Sequence, residues 1–100
     1  MRSVVIIPAR YKSSRFPGKP LVKLLGKSMI IWVAELSAIA VGRDNVYVAT
    51  DDERIAKIVT KAGFNIVMTS NECLTGTDRV AEAASKIKSD IYVNVQGDEP

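Results

Sequence analysis

Four short runs of apolar, mostly β-branched residues punctuate a chain of only 100 residues: Ser3-Val4-Val5-Ile6-Ile7, Asn45-Val46-Tyr47-Val48-Ala49-Thr50, Phe64-Asn65-Ile66-Val67-Met68 and Ile91-Tyr92-Val93-Asn94-Val95. A run of this length and composition reads as a strand, and the first, unbroken from Val4 to Ile7, as one buried on both faces of a parallel sheet. The segments between them have helical spacing. From Ser28, the residues Met29, Trp32, Val33, Leu36 and Ala40 make one apolar face that stops at Gly42. Thr50 and Glu53 stand at the capping-box spacing and open a helix that buries Ile55, Ile58, Val59 and Ala62 before Gly63 closes it. Thr77 caps a third helix with Val80, Ala83, Ala84 and Ile87 on one side, and Asp90 leads into the fourth strand. Residues 21–27 hold a short extended piece ending at Gly26. Strands alternating with helices predict βαβ units, hence an α/β fold: a Rossmann-like, mostly parallel sheet with helices on both faces.

In such sheets ligands collect beyond the carboxyl ends of the strands. Three polar segments are expected there: residues 10–19, 69–79 and 96–99. The first is the most informative. It leaves a buried strand and carries Arg10, Lys12, Arg15 and Lys19, the hydroxyls of Ser13 and Ser14, and Gly18 between Pro17 and Pro20. Guanidinium groups grip phosphate through a fork, an ammonium adds a point charge, and glycine lets backbone N–H groups come close. The prolines stiffen the loop, so its cations lose less freedom on meeting a ligand. The plain alternative is a solvated turn whose charges only keep it soluble.

Other chemistries are missing their residues. The chain has no glycine-rich dinucleotide fingerprint and no Walker A sequence. It has no histidine, which excludes histidine base catalysis and histidine metal sites within these residues. A net charge of +3 with 6% aromatic residues does not make the basic, aromatic-lined stripe of a nucleic-acid binder, so small anions are the expected partners. No apolar run is long enough to cross a bilayer, so no membrane partner is expected. The single Cys73 and the lack of a charged-then-apolar leader lead to the expectation of a cytoplasmic protein.

The segments Ile6-Ile7-Pro8-Ala9-Arg10-Tyr11, Ser13-Ser14-Arg15-Phe16-Pro17-Gly18-Lys19-Pro20-Leu21, Ala49-Thr50-Asp51, Thr75-Gly76-Thr77-Asp78-Arg79 and Val93-Asn94-Val95-Gln96-Gly97-Asp98-Glu99-Pro100 follow one another in a specific order. In that order and spacing the chain resembles the 3-deoxy-manno-octulosonate (KDO) cytidylyltransferases over essentially its whole length. The resemblance implies a fold of the nucleotide-diphospho-sugar transferase type. It also implies that residues 1–100 are the N-terminal, CTP-binding part of one nucleotidyltransferase domain that continues further, homodimeric when complete. The implied reaction transfers CMP from CTP to KDO, with release of pyrophosphate, for lipopolysaccharide biosynthesis.

The resemblance also assigns roles. Arg10 and Lys19 would neutralise the CTP phosphates and the charge developing at the α-phosphorus, with Ser13, Ser14 and Arg15 completing the cradle and Pro8 and Ala9 at its head. Asp98 would hold Mg²⁺, a hard ion suited to carboxylate and phosphate oxygens. Gln96 would lie near the sugar acid, and Thr75, Gly76 and Asp78 near the cytidine, with Arg79 also among the substrate-binding residues. Each has a plainer reading beside it. Asp98 can be a turn residue, Asp78 and Arg79 can simply begin a helix, and Asp51 can be a cap. Trp32, Met29 and Met68 are expected in the core. Cys73 is not expected to act as a nucleophile, because phosphoryl transfer needs no covalent step here.

The chain departs from the family at one place. Where the family usually places His-Gln-Ser, it has Cys73-Leu74-Thr75. Threonine keeps the hydroxyl, but the other two lose polar contacts, which leaves the 8-amino analogue of KDO open as the substrate. A different nucleotidyltransferase on the same fold and a non-catalytic nucleotide-binding module are the remaining alternatives.

Overall fold

The computed structural model describes residues 1–11, 18–73 and 75–96. Strand β1 (Ser3–Pro8) is followed by a single 3₁₀ turn (Lys19–Leu21), a tight ribbon of β2 (Lys23–Leu24) and β3 (Lys27–Ser28), and helix α1 (Met29–Val41). Then come β4 (Val46–Thr50), α2 (Glu53–Lys61), β5 (Asn65–Met68), α3 (Gly76–Ala84) and β6 (Ile91–Asn94). The main sheet has the order β5-β4-β1-β6, with every neighbour parallel. The expected extended piece at residues 21–27 is the β2–β3 ribbon, whose turn places Leu25 and Gly26 at positive φ, 54° and 80°. Two positive φ angles in a two-residue turn match the twist of the strands it joins, and Gly26 takes its share without strain.

Successive residues of a strand face opposite ways, and β1 uses both sides fully. Val5 and Ile7 join Val46 and Val48 under α1 and α2, packing against Ile30, Val33, Ala34, Ile55 and Val59. Val4 and Ile6 face the other layer, where Ala83 and Ile87 of the α3 segment cover them. This is why β1 reads as an unbroken apolar run. Each such fully buried side chain contributes on the order of 1.5–3 kcal/mol.

Helix α1 turns a different face inward from the one its spacing suggests. Ile30, Ile31, Val33, Ala34 and Ser37 are buried, whereas Leu36 and Ala40 are exposed and Met29 and Trp32 half-buried. The helix is apolar nearly all round, so periodicity cannot choose the face; the sheet does. Trp32 instead donates its indole N–H to the Leu24 carbonyl at 2.7 Å, and Met68 is 42% exposed rather than core. The faces of α2 and α3 are as expected, with Ile55, Val59, Ala83 and Ile87 buried.

The caps differ from the expected ones. Asp52, not Thr50, caps α2: its Oδ1 accepts the N–H groups of Arg54 (2.9 Å) and Ile55 (3.3 Å). Thr50 accepts the N–H of Asp52 at 3.1 Å, a turn before the helix rather than a box around it. Thr75, not Thr77, caps α3 through the N–H of Asp78. The Arg54 side chain bonded to Asp52, helped by those backbone N–H groups, holds the Asp52 carboxyl below its ordinary value of 3.8. A carboxylate with a lowered folded-state pKa stabilises above the ordinary value, and the contribution disappears as pH falls through the depressed one. Asp52→Ala is therefore expected to cost about 1 kcal/mol in urea melts at neutral pH, with the gap to the parent closing in acid.

Candidate functional site

The order β5-β4-β1-β6 fixes where a ligand crevice must open. From β1 the chain moves to β4 and β5 on one side and then crosses to β6 on the other, so the order reverses between β1 and β6. Doubly wound sheets bind their ligands at that reversal, outside the carboxyl ends of the strands. Pro8 and Ala9 lie at the end of β1, buried, with the Ala9 N–H bonded to the Ala49 carbonyl at 2.9 Å. Arg10 follows and is exposed. Gln96, also exposed, lies two residues past Asn94, the partner of Ile6.

A cleft of about 420 Å³ opens beside Arg10 and is lined by Tyr11, Asp51, Asp52, Arg54, Asn71, Cys73 and Arg79 as well. Its walls come from the segments that follow β1, β4 and β5, so it lies on the β4 side of β1, away from the reversal toward β6, and Arg10 at the end of β1 adjoins both. Gly76 starts α3 close to this place: a Cβ there would meet the Pro8 ring at 3.5 Å, an ordinary van der Waals contact. Thr75 and Asp78 are exposed at the start of that helix. Lys19 is half-buried and opens the 3₁₀ turn beside Gly18. Of the expected site residues, Arg10 and Arg79 share the cleft; Ser13, Ser14, Arg15 and Asp98 lie outside the described residues.

Arg79 is 3% exposed, yet its charge is well met. Its Nη1 donates to Thr69 Oγ1 at 2.5 Å and to the Ser70 carbonyl at 3.5 Å, and stands 3.7 Å from Asp51 Oδ1. One guanidinium thus ties the segments after β4 and β5 to α3. Glu82 of the same helix anchors the second of those segments again, accepting the Ser70 N–H at 2.8 Å, and that bond lowers its carboxyl pKa. Cys73 Sγ lies 3.6 Å from Glu82 Oε1, and burial foremost pushes its thiol up. A thiol held protonated is a poor nucleophile.

Sequence reasoning missed Tyr11, Asp52, Arg54 and Asn71 as cleft residues. The available signal is position: Asp51 and Asp52 follow β4 directly, as Arg10 follows β1, and the sequence reading uses only Asp51, as a cap.

Fold and cleft together define a Rossmann-like α/β protein of the nucleotide-diphospho-sugar transferase type. The chain belongs to the cytidylyltransferase family, whose model matches residues 4–100. It is 54% identical over 104 residues to a 3-deoxy-manno-octulosonate cytidylyltransferase of Psychrobacter cryohalolentis, covering 100% of this chain and 38% of that protein. It is 50% identical over 103 residues to an 8-amino-3,8-dideoxy-manno-octulosonate cytidylyltransferase of a Shewanella species, covering 100% of this chain and 42% of the relative. A solved CMP:2-keto-3-deoxy-manno-octonic acid synthetase, complexed with CTP, superposes with a TM-score of 0.87 at 46% identity, over 97% of this chain and 40% of that one. The chain therefore spans well under half the length of the relatives it matches.

Proposed function

We propose that residues 1–100 form the CTP-binding part of a cytidylyltransferase that transfers CMP from CTP to KDO, giving CMP-KDO and pyrophosphate. The observation that carries this is Arg10, placed at the end of β1 beside the sheet's reversal point and lining a polar cleft with Arg79. A triphosphate laid over the end of β1 would meet Arg10 from the strand and Lys19 from the turn that follows. Both cations would neutralise charge as the α-phosphate is attacked by the sugar hydroxyl, while the surrounding walls fix the nucleotide's position. Ser13, Ser14 and Arg15, between these two, complete the cradle in this reading. Thr75, Gly76 and Asp78 flank the cytidine side, with Arg79 holding the wall behind them, and Gln96 the sugar acid.

Among the described residues no group of three or more acidic, cysteine or histidine side chains is placed to hold a metal. Asp98, which follows β6, is a hard carboxylate that would hold Mg²⁺ together with phosphate oxygens and water, the ligand set that ion prefers. When bound, the ion supplies further neutralisation of phosphate charge. The same reading has a homodimer acting in the cytoplasm on two small anions, with neither nucleic acid nor membrane as partner. Among the described residues no helix is long and apolar enough to cross a membrane.

The segment Cys73-Leu74-Thr75 favours a second reading for the acceptor, the 8-amino analogue of KDO. Pyrophosphate release by the intact protein decides the reaction, its nucleotide and its acceptor. With CTP, KDO and Mg²⁺ it is expected to be rapid, to stop on chelation of the metal, and to be far slower with UTP. Equal rates with UTP would overturn the nucleotide assignment, a strong preference for the amino sugar would replace the acceptor, and calorimetric binding of CTP without turnover would leave only a binding module.

A further inference from the structure

Two neighbours at the start of α2, Asp52 and Arg54, meet Tyr11 from the end of β1 in the lining of the cleft. The Arg54 guanidinium carbon lies 3.3 Å from the centre of the Tyr11 ring, a stacking distance. Asp52 holds that guanidinium in place, accepting from Nε at 3.2 Å and from Nη2 at 2.7 Å. Asp52 is itself fixed as the cap of α2, so the stack is tied to a helix end. The Tyr11 ring also abuts Gly18: a Cβ on Gly18 would lie 2.9 Å from Cε2 and 3.2 Å from Cζ. Gly18 has φ +76°, and its N–H donates to the Tyr11 carbonyl at 2.5 Å. Only glycine satisfies both the left-handed backbone and the contact with the ring. Tyr11 and Gly18 are the two ends of the segment that separates Arg10 from Lys19.

We propose that Arg54 is a positioning residue for CTP: stacked on Tyr11 and steered by Asp52, it fixes the ring against which Gly18 closes, and so sets Arg10 and Lys19 at a common spacing for one triphosphate. The proposal rests on the functional reading above for its ligand, but its geometric half does not. Arg54 touches no reacting atom in this account. It transmits the position of α2 to the two cations through an aromatic face, a role that a flat guanidinium, stacked on the ring while forking to Asp52, fills better than an ammonium.

The test pairs a readout without nucleotide and one with it, on the intact protein. In Arg54→Ala, exchange of the Gly18 amide hydrogen is expected to rise about fivefold, as for loss of one cation–π contact, and the KM for CTP to rise by a similar factor. The KM for the sugar acid and the melting temperature should stay close to those of the parent. Arg54→Lys should recover less than half of the CTP effect. Tyr11→Ala removes the stack together with the ring's contact to Gly18, so adding Arg54→Ala to it should leave Gly18 exchange as it is in Tyr11→Ala alone. Unchanged Gly18 exchange in Arg54→Ala, or raised exchange with an unchanged KM for CTP, would overturn the proposal. Absence of CTP turnover in the parent would instead overturn the functional reading, and Gly18 exchange would still decide the contact.

Discussion

Replacing Arg10 with alanine is expected to lower turnover by about two to three orders of magnitude, the usual cost of removing one preorganised donor from a developing oxyanion. Arg10 is exposed at the mouth of the cleft, not buried beneath it, so the same change should leave the urea midpoint nearly where it was. That combination separates a chemical role from a structural one. Lys19→Ala should behave alike, although its half-buried stem next to Pro20 makes a small stability loss acceptable. Burst or single-turnover measurements should place the loss in the chemical step as well as in CTP binding, because charge at the phosphorus grows toward the transition state. Turnover within threefold of the parent for Arg10→Ala would remove the phosphate role from the end of β1.

How much of this was legible beforehand depends on how local the information is. The strands could be read because β1, β4 and β5 are apolar runs of the right length, and their parallel pairing follows from the helices between them. Helices α2 and α3 could be read to the buried face, because each alternates charged and apolar residues with a clear period. Helix α1 could not: Ile30, Ile31 and Ile39 spread its apolar surface around the axis, and only docking on Val5 and Val48 selects a side. Caps failed for a different reason. Thr50, Asp51 and Asp52 all carry acceptors within three positions, and the backbone trajectory out of β4 decides which one reaches the first free N–H groups.

Within the site, Arg10 stood out in the sequence because a charged residue after an apolar strand suggests a ligand, whereas Arg79 entered through the family resemblance alone. The contact between Tyr11 and Arg54 left no trace of that kind. It joins the residues just after β1 to the start of α2, a relation that exists only once the sheet has formed. The same holds for Arg79, which the resemblance marks as a cation available to substrate and the fold turns into a buried tie between two loops.

Arg79→Met carries the largest expected loss of stability among the polar variants, about 2 kcal/mol. Methionine keeps most of the stem and its packing, so the loss is not a cavity effect. It comes from the partners left behind: the Thr69 hydroxyl and the Ser70 carbonyl lose a charged donor, and Asp51 loses its nearest cation. Removing one member of a buried ion pair costs more than the pair itself contributes, because the remaining group stays partly desolvated. Asp51 keeps some access to water, its side chain being 25% exposed, which holds the figure below that of a fully buried pair. Asp51→Asn in the Arg79→Met background should therefore return part of the loss, whereas Asp51→Asn alone should cost a fraction of it. The segment from Thr69 to Cys73 forms one wall of the cleft and is tied to α3 through Arg79 and Glu82, so the KM for CTP should rise with the loss of the tie. Urea melts of the single and double variants, read beside CTP kinetics, check both halves; a stability change under about 0.5 kcal/mol for Arg79→Met would mean that water replaces the guanidinium without penalty and that the wall stands without it.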